Sequence, residues 1–305
     1  MKEKHFHTEK VTLVTFSTVF MPQHGGGMEV IMDEIREFYN NYGMKEWERL
    51  DKSIYNRINF ILHMDFIKEH LYPGAKILDA GCGAGRYSIE FAKLGCEVTL
   101  FDISEEQLRI AKSKVEECQL ENQMKGYIRG DIKDLSMFPD NTFDLVICYG
   151  APLSYVIDGR ETAVSELTRV TKESGIVAVS VNNKWGILKM ALGNSFPDFF
   201  NNNEYWFIDK VIETGDLPKH EKVAHPARHF FEAEDLQTLM QSAKLQDIKM
   251  GGSPCLCCGN ANQVEEIAKD ENAYQTILNI ELRTYTKPTM IDNGEFLLAK
   301  GRKLR

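Results

Sequence analysis

The stretch Ile77–Arg86, ILDAGCGAGR, combines residue types that could bind a ligand. An apolar run ends in Asp79, and three glycines follow at alternate positions, Gly81, Gly83 and Gly85. Glycine-rich turns between a strand and a helix usually hold phosphates through backbone N–H groups. A carboxylate at such a turn would repel a phosphate, so the ligand must suit both the glycines and the acid.

Two phosphate-binding patterns fit this turn poorly. The dinucleotide pattern G-x-G-x-x-G requires a third glycine where the sequence has Arg86. The P-loop pattern requires Gly-Lys followed by Ser or Thr, and the residues after the turn do not supply it. Binding of a nicotinamide dinucleotide or a nucleoside triphosphate is therefore the weaker alternative.

Two further acids follow neighbouring predicted strands. Asp102 ends the second strand, about 20 residues after the first glycine, and Asp131 follows the third strand. The carboxyl ends of parallel strands meet at one edge of a sheet, so these acids converge on the turn. S-adenosylmethionine suits this set because it has an adenosine and a positive charge but no phosphate. We expect Asp79 to face the cationic end, directly or through water. Asp102 would accept hydrogen bonds from the ribose, and Asp131 would accept one from the adenine, with Ile132 supplying a backbone donor and an apolar wall.

The sequence resembles the class I S-adenosylmethionine-dependent methyltransferases. The matching segments are ILDAGCGAGR, VTLFDIS, GDIKDL, TFDLVICYGAPLSYV and ELTRVTKESGIVAVSV, which lie within residues 72–181. The resemblance implies that S-adenosylmethionine is the cofactor and that Tyr149 stands where its methyl group faces the substrate. One departure is TKESG, where many small-molecule members have Lys-Pro-Gly-Gly. With two residues added from the predicted cap, the expected cofactor-binding set is Asp79, Gly81, Cys82, Gly83, Gly85, Asp102, Ile103, Asp131, Ile132, Tyr149, Tyr39 and Arg57.

Strands and helices alternate from residue 72 onward, which predicts a Rossmann-like, doubly wound, mostly parallel seven-stranded α/β sheet. We expect an N-terminal helical cap over residues 28–71 and a methyltransferase domain over residues 72–305. A lid of helices is expected as an insertion at about 182–228, where the regular pattern is lost.

Three local patterns give sharper predictions about the helices. Ser53 is expected to cap a helix that continues to Leu71. Ser104 is expected to cap another, with Gln107 in the capping-box position. A single helix is expected around residues 263–282.

Residues 1–27 stand apart from this organisation. Helical periodicity begins only at Met28, after the run Gly25–Gly27. Three interpretations are open: the segment is a weak signal peptide, it is a poorly ordered leader, or the chain starts at Met28. We expect this segment to be extraneous or loosely attached.

Net charge, cysteine content and the length of apolar runs restrict the partners and the compartment that we expect for the protein. The formal net charge of -9 argues against a general nucleic-acid binder, which would show a basic surface. Seven cysteines do not form a secreted disulfide pattern, and no apolar run reaches the roughly 20 residues of a membrane span. We expect a cytoplasmic protein, a monomer or a homodimer, without nucleic-acid or membrane partners.

The acceptor of the methyl group is less well defined than the donor. The sequence after the fourth strand, CYGAP, lacks the motif by which amino-group DNA methyltransferases hold a base. We therefore expect a small-molecule acceptor, with an RNA or protein methyltransferase and a non-catalytic cofactor sensor as alternatives. His229 and Tyr149 are weak catalytic candidates, since a base is needed only if the acceptor keeps a proton at neutral pH. Aromatic candidates for the acceptor pocket are Tyr39, Tyr42, Trp47, Tyr155, Trp185, Tyr205 and Trp206.

The CLCC segment holds three thiols, Cys255, Cys257 and Cys258. We favour buried turn residues over a soft-metal or metalloid site, because no second pair of ligands at zinc-site spacing is found nearby. No metal is expected.

Overall fold

The computed structural model describes residues 27–194, 206–219 and 225–304. The predicted leader therefore lies outside the described residues, apart from Gly27. The strands are β1 Lys76–Ala80, β2 Glu97–Asp102, β3 Met124–Arg129, β4 Phe143–Cys148, β5 Thr171–Asn182, β6 Asp216–Leu217, β7 Arg228–His229, β8 Leu245–Ser253 and β9 Phe296–Lys303.

Seven of these strands form one sheet in the order β3-β2-β1-β4-β5-β9-β8. Strands β1 to β5 pair in parallel, whereas β9 runs antiparallel to both β5 and β8. Strands β6 and β7 form a separate two-stranded antiparallel pair. The predicted mostly parallel, seven-stranded sheet is confirmed. Its strand order reverses between β1 and β4, which is where ligands bind in open α/β sheets.

The apolar core lies on both faces of the sheet, because the central strands are buried on both sides. One cluster joins β1, β2 and β4 to the helices that precede and follow β1, and includes Ile58, Phe91 and Leu100. The other joins the opposite face to later helices, and includes Leu78 and Leu167. Each such side chain stabilises the fold by about 1.5–3 kcal/mol when it is fully buried.

Within the described residues, three helices precede the sheet: α1 Gly27–Tyr42, α2 Met44–Arg49 and α3 Ile54–Ile67. Ser53 caps α3 as predicted, since its side chain accepts a hydrogen bond from the Asn56 N–H at 3.1 Å. The helix ends at Ile67 rather than at Leu71, and a single 3₁₀ turn, Lys68–His70, follows it.

Helices α4 Arg86–Lys93 and α5 Glu105–Glu117 follow β1 and β2. Ser104 caps α5 by accepting from the Gln107 N–H at 3.1 Å. The other half of the predicted capping box, in which the Gln107 side chain would bond back to the Ser104 backbone, is wrong. The Gln107 side-chain amide donates instead to the carbonyls of Tyr39 at 2.9 Å and Gly43 at 3.1 Å, at the end of α1. The N-terminal cap is thereby tied to the helix that follows β2.

The helices after β4 are α6 Pro152–Tyr155 and α7 Arg160–Val170. Within the predicted lid, the structure describes α8 Lys184–Asn194 and α9 Trp206–Thr214, followed by the β6–β7 pair. Residues 195–205 and 220–224 of that predicted lid lie outside the described residues.

The last helices are α10 Ala233–Ser242, α11 Ala261–Ile267 and α12 Glu271–Thr284. The prediction of a single helix at 263–282 is therefore wrong, because α11 and α12 occupy this range. Asp270 interrupts it, because its side chain caps α12 by accepting from the Ala273 N–H at 2.8 Å. Among the helices that the structure describes, none has the length and apolar character needed to cross a membrane.

Candidate functional site

A cavity opens at the carboxyl edge of the parallel strands, beneath α1 and α2. The described residues that line it come from the ends of β1 to β4 and from α1, α2, α4 and α6: Met32, Ile35, Tyr39, Glu46, Arg49, Leu50, Gly81, Cys82, Gly83, Ala84, Arg86, Tyr87, Asp102, Ile103, Gly130, Asp131, Ile132, Tyr149, Gly150, Pro152, Tyr155 and Val156.

The glycine turn after β1 forms the floor of the cavity. The N–H groups of Gly81 and Cys82 both donate to the Phe101 carbonyl, at 2.7 and 3.1 Å, so the turn is fixed to β2. Gly81 has a φ of +83°, and a Cβ atom there would lie 2.3 Å from Cγ of Pro152. Only glycine fits this position, because both its backbone conformation and its neighbour exclude a side chain.

The other two glycines of the turn have different surroundings. A Cβ on Gly83 would lie 3.3 Å from Cγ of Glu46, so the cap helix α2 lies directly over the turn. A Cβ on Gly85 would lie 3.0 Å from Cβ of Ala111 on α5. Gly85 is outside the lining of the cavity, and its role is to let α4 begin close to α5.

Asp102 lies at the end of β2, in the wall of the cavity. Its carboxylate accepts from the Gly83 N–H at 2.8 Å and from the Ser104 N–H at 2.8 Å. Burial raises its pKa to about 6, although these amide donors oppose the shift. The carboxylate fixes the glycine turn and keeps further lone pairs for a ligand, since each oxygen can accept more than one hydrogen bond.

Asp79 is fully buried below the turn and is not part of the described lining. One carboxylate oxygen accepts from the Ser88 hydroxyl at 2.6 Å, while the other, Oδ1, has no hydrogen-bond partner. Burial raises the pKa of this carboxyl to about 7. A positive charge bound in the turn would favour the ionised form of Asp79 through space, without direct contact. The contact that we expect between Asp79 and a cationic ligand stays a prediction.

The end of β3 supplies the next part of the wall. Asp131 accepts from the Lys133 N–H at 2.9 Å, and Ile132 is buried beside it. Ile103, after β2, lines the same region. The structure thus brings together the carboxylates and apolar residues predicted for ribose and adenine at one edge of the sheet.

The cap contributes a charged pair that the sequence did not indicate. On α2, the Arg49 guanidinium donates to the Glu46 carboxylate through Nη2 at 2.7 Å and Nε at 3.1 Å. Both side chains line the cavity. Arg57, which we expected to reach a cofactor carboxylate, is exposed on α3 and is not part of the lining. Arg49 is better placed for that contact, because its Nη1 group makes no bond to Glu46.

Four tyrosines border the cavity: Tyr39, Tyr87, Tyr149 and Tyr155. Tyr39 and Tyr155 pack edge to face, with ring centres 5.8 Å apart. Tyr149 packs in the same way on Tyr87 and on the buried His63, at 5.4 and 5.0 Å. The Tyr149 hydroxyl is buried without a hydrogen-bond partner, and burial raises its pKa far above the usual value. Tyr149 is therefore a neutral phenol at physiological pH, and a role of its hydroxyl in catalysis stays a prediction.

Several other predicted residues lie away from this cavity. Tyr42 and Trp47 line a depression on the outer side of α2, where the Arg86 guanidinium lies 4.6 Å from the centre of the Trp47 ring. Trp185 is exposed on α8 and donates to Glu232. Tyr205 and the side chain of Trp206 lie outside the described residues.

His229, the second catalytic candidate, belongs to β7 and is not part of the cavity lining. Its Nδ1 atom lies 2.7 Å from a carboxylate oxygen of Asp216 on β6. This pairing orients the ring within the β6–β7 pair, and a role in proton transfer stays a prediction.

The three thiols of the CLCC segment are buried and point to different partners. The Cys255 thiol donates to the Met290 carbonyl at 3.1 Å, and the Cys258 thiol lies 3.6 Å from the Gly186 carbonyl. The backbone N–H groups of Cys255 and Cys257 donate to the buried Glu281 carboxylate. Among the described residues, no group of three or more His, Cys, Asp or Glu side chains is arranged to hold a metal ion.

The strand order with its antiparallel β9, the glycine turn and the acids after β2 and β3 define a class of protein. The protein contains a class I S-adenosylmethionine-dependent methyltransferase domain, and S-adenosylmethionine is the cofactor of that class.

Comparisons with known proteins agree with this assignment. The model of a methyltransferase-domain family matches residues 77–175. A sterol 24-C-methyltransferase of Gibberella zeae is 35% identical over 133 residues, which are 43% of this chain and 33% of that protein. A demethylmenaquinone methyltransferase of Listeria welshimeri is 36% identical over 146 residues, which are 44% of this chain and 59% of that protein. The matches thus span less than two thirds of the length of these relatives.

Solved structures support the fold. A chain in the complex between the Haloferax volcanii Trm112 methyltransferase activator and a putative methyltransferase superposes with a TM-score of 0.55. The match covers 89% of this chain and 98% of that chain at 14% sequence identity. At this level of identity the similarity concerns the arrangement of the chain alone.

Proposed function

We propose that the protein transfers a methyl group from S-adenosylmethionine to a small-molecule acceptor by in-line displacement. The observation that carries this proposal is the cavity itself, where the glycine turn, Asp102 and Asp131 meet the cap helices. The named relatives support a small acceptor, since one is called a sterol and the other a demethylmenaquinone methyltransferase.

The residues of the cavity fit the cofactor. A side chain at Gly81 would collide with Pro152, so backbone lies against the ligand at that point. Asp102 offers lone pairs to ribose hydroxyls, and Asp131 with Ile132 offers an acceptor and an apolar surface to adenine. Arg49 offers N–H groups to a carboxylate, and the Oδ1 atom of the buried Asp79 lies below the turn, where a bound positive charge would favour the ionised carboxyl. When bound, the cofactor supplies an electrophilic methyl group on a sulfonium.

The chain contributes to such a transfer mainly by holding two molecules in line and by excluding water. The α1 and α2 helices cover the turn and separate the cavity from bulk solvent on that side. Three tyrosines of the lining have a raised pKa because they are buried, so none of them supplies a phenolate base: Tyr39, Tyr87 and Tyr149. No general base is therefore part of the proposal.

Calorimetry with S-adenosylmethionine and S-adenosylhomocysteine tests the proposal. We expect both to bind the folded protein. Asp102→Ala should weaken binding at least about tenfold, because charge-assisted hydrogen bonds are worth roughly 1.5–3 kcal/mol each. Asp134→Ala, which removes an exposed acid after β3 outside the lining, is the matched control and should bind normally. Equal affinities of the two variants would show that Asp102 does not hold the ligand.

Turnover distinguishes an enzyme from a sensor. Incubation with labelled S-adenosylmethionine and a fractionated cell extract should transfer label to a low-molecular-weight product. Label in RNA or protein would support one of the alternatives, and binding without any consumption of the cofactor would support a sensor.

A further inference from the structure

We propose that the acceptor is an uncharged molecule with an apolar, ring-shaped body, held between α1 and α6. This inference rests on the methyl transfer proposed above and names the class of substrate for the same cavity. Away from the glycine turn, the wall is apolar and aromatic: it is formed by Met32, Ile35, Tyr39, Leu50, Tyr155 and Val156.

The shape of this wall suits a flat ligand. Tyr39 and Tyr155 stand nearly perpendicular, with an angle of 88° between their rings. Ile35, Leu50 and Val156 are each at most 4% exposed, so they present fixed hydrocarbon rather than mobile surface side chains. Aromatic and aliphatic walls of this kind bind rings through buried apolar area and edge-to-face contacts.

The charges in the lining already have partners within the chain. Glu46 and Arg49 pair with each other, and Arg86 pairs with Asp51 at 2.7 Å. Asp102 accepts from two backbone N–H groups, and Asp131 accepts from the Lys133 N–H.

The N–H groups of Arg49 that do not donate to Glu46 are assigned to the cofactor carboxylate. The Asp102 carboxylate has no ionic partner, but its remaining lone pairs are assigned to the ribose of the cofactor. A charged acceptor would therefore lose its hydration without gaining a counter-charge that is not already paired or assigned among the described lining residues. Burial of an unpaired charge is strongly unfavourable, whereas an uncharged ring avoids that cost.

The Tyr39 ring of this wall stays neutral. Burial raises the pKa of Tyr39 well above its usual value, and the neighbouring Tyr155 contributes to the shift. A protonated amine would therefore meet this neutral ring, while the carboxylates of the lining are paired or assigned to the cofactor. Cation–π contact alone would hold it less well than water does at this depth.

One nearby group of residues favours a different acceptor. Nη1 of Arg160, Nε of Arg228 and Nδ1 of His225 are buried and have no hydrogen-bond partner among the residues that the structure describes. They belong to α7 and to the segment that includes β7, and they are not part of the described cavity lining. If they did reach the acceptor, an anionic ring would bind best. The test below therefore includes one.

A matched series of naphthalene derivatives tests the inference. The protein is first saturated with S-adenosylhomocysteine and then titrated, in separate calorimetric experiments, with 2-naphthol, 2-naphthoate and 2-naphthylmethylammonium at pH 7.5. We expect 2-naphthol to bind about tenfold or more tightly than either ion, because only the ions carry a buried charge without a partner. A preference for naphthoate or for the ammonium, or no binding of any probe, would overturn the inference and leave the methyl-transfer proposal intact. Failure of S-adenosylhomocysteine to bind would refute both.

Two variants of Tyr155 test where the ring is held. Tyr155→Phe keeps the aromatic face and should keep the affinity for 2-naphthol, whereas Tyr155→Leu should lower it about fivefold, since an aromatic contact is worth roughly 0.5–1.5 kcal/mol. Tyr274→Leu, at a buried tyrosine of α12 outside the cavity, is the matched control. Equal affinity in Tyr155→Leu and the control would contradict this location. Because the wild-type probe series needs no mutation, the inference remains testable if a variant does not fold.

Discussion

Gly81 and Gly74 show how one residue type serves two purposes in this chain. Both have a left-handed backbone, with φ of +83° and +81°. Only at Gly81 would a Cβ atom collide with a neighbour, Pro152, whereas nothing lies within 4 Å of a Cβ on Gly74. The glycine turn on the floor of the cavity is therefore constrained by its neighbour as well as by its own conformation.

The two glycines form a matched pair for mutation. Gly74→Ala should lower the free energy of unfolding by about 1–2 kcal/mol, the cost of a left-handed alanine. Gly81→Ala should cost roughly 1–3 kcal/mol more, because the new methyl group meets the Pro152 ring. Urea unfolding followed by circular dichroism measures both. Equal losses would show that the loop around Pro152 adjusts freely.

Arg49 and Arg57 provide a second comparison between residues. The double change Glu46→Gln with Arg49→Gln removes the cavity pair without leaving either charge buried alone. We expect the affinity for S-adenosylhomocysteine to fall about tenfold, because a charge-assisted hydrogen bond to the carboxylate is lost. Arg57→Gln, at the exposed α3 position, should bind as the wild type does. A loss in Arg57→Gln instead would restore the original prediction.

At the scale of elements, the cap depends on contacts that are distant in sequence. Gln107 on α5 donates to the last carbonyls of α1, and the Ser104 hydroxyl donates to the Asn40 side chain at 2.6 Å. The strands and most helices could be predicted, because their patterns of apolar residues and caps are local. The partners of Gln107 and the position of Arg49 could not, since both depend on how α1 and α2 pack on the domain.

Hydrogen exchange can measure this tie between elements. Gln107→Ala removes both donations to α1, so we expect faster exchange of amides along α1, with local protection lowered by about 1–2 kcal/mol. Gln275→Ala is the control, because the Gln275 side chain donates only to Glu271 on its own exposed helix face. Unchanged protection of α1 in Gln107→Ala would mean that apolar packing alone holds the cap.

At the scale of the whole molecule, a buried cluster of polar side chains joins the cap to the far edge of the sheet. Nδ1 of His63 on α3 donates to the Asn59 carbonyl at 2.9 Å, and the Ser253 hydroxyl of β8 donates to the Asn59 side chain at 2.7 Å. Burial lowers the pKa of His63 to about 4, an effect that outweighs the hydrogen bond to Asn59. The folded protein therefore keeps this imidazole neutral in weak acid.

This gives a specific dependence of stability on pH. Between about pH 6.5 and pH 4 the unfolded chain binds a proton at His63 and the folded chain does not, so stability falls as the pH falls. The loss should approach about 3 kcal/mol near pH 4. Asp79 and Asp102, whose pKa values are raised, act in the opposite direction.

The comparison of wild type with His63→Phe isolates the histidine, because the carboxyls are common to both. Unfolding curves at pH 7, 6, 5 and 4 should show that the wild type loses more stability than His63→Phe as the pH falls. A constant difference would mean that His63 titrates normally in the folded state.

The position of β9 has a consequence for how the protein forms during synthesis. β9 lies between β5 and β8, and β8 pairs with no other strand of the sheet. In a growing chain that has emerged only as far as residue 290, the edges of β5 and β8 that pair with β9 in the finished sheet would both be unpaired. Such edges are templates for association with other chains. Ribosome-bound chains arrested before β9 should therefore recruit chaperones, and release of the last strand would close the sheet.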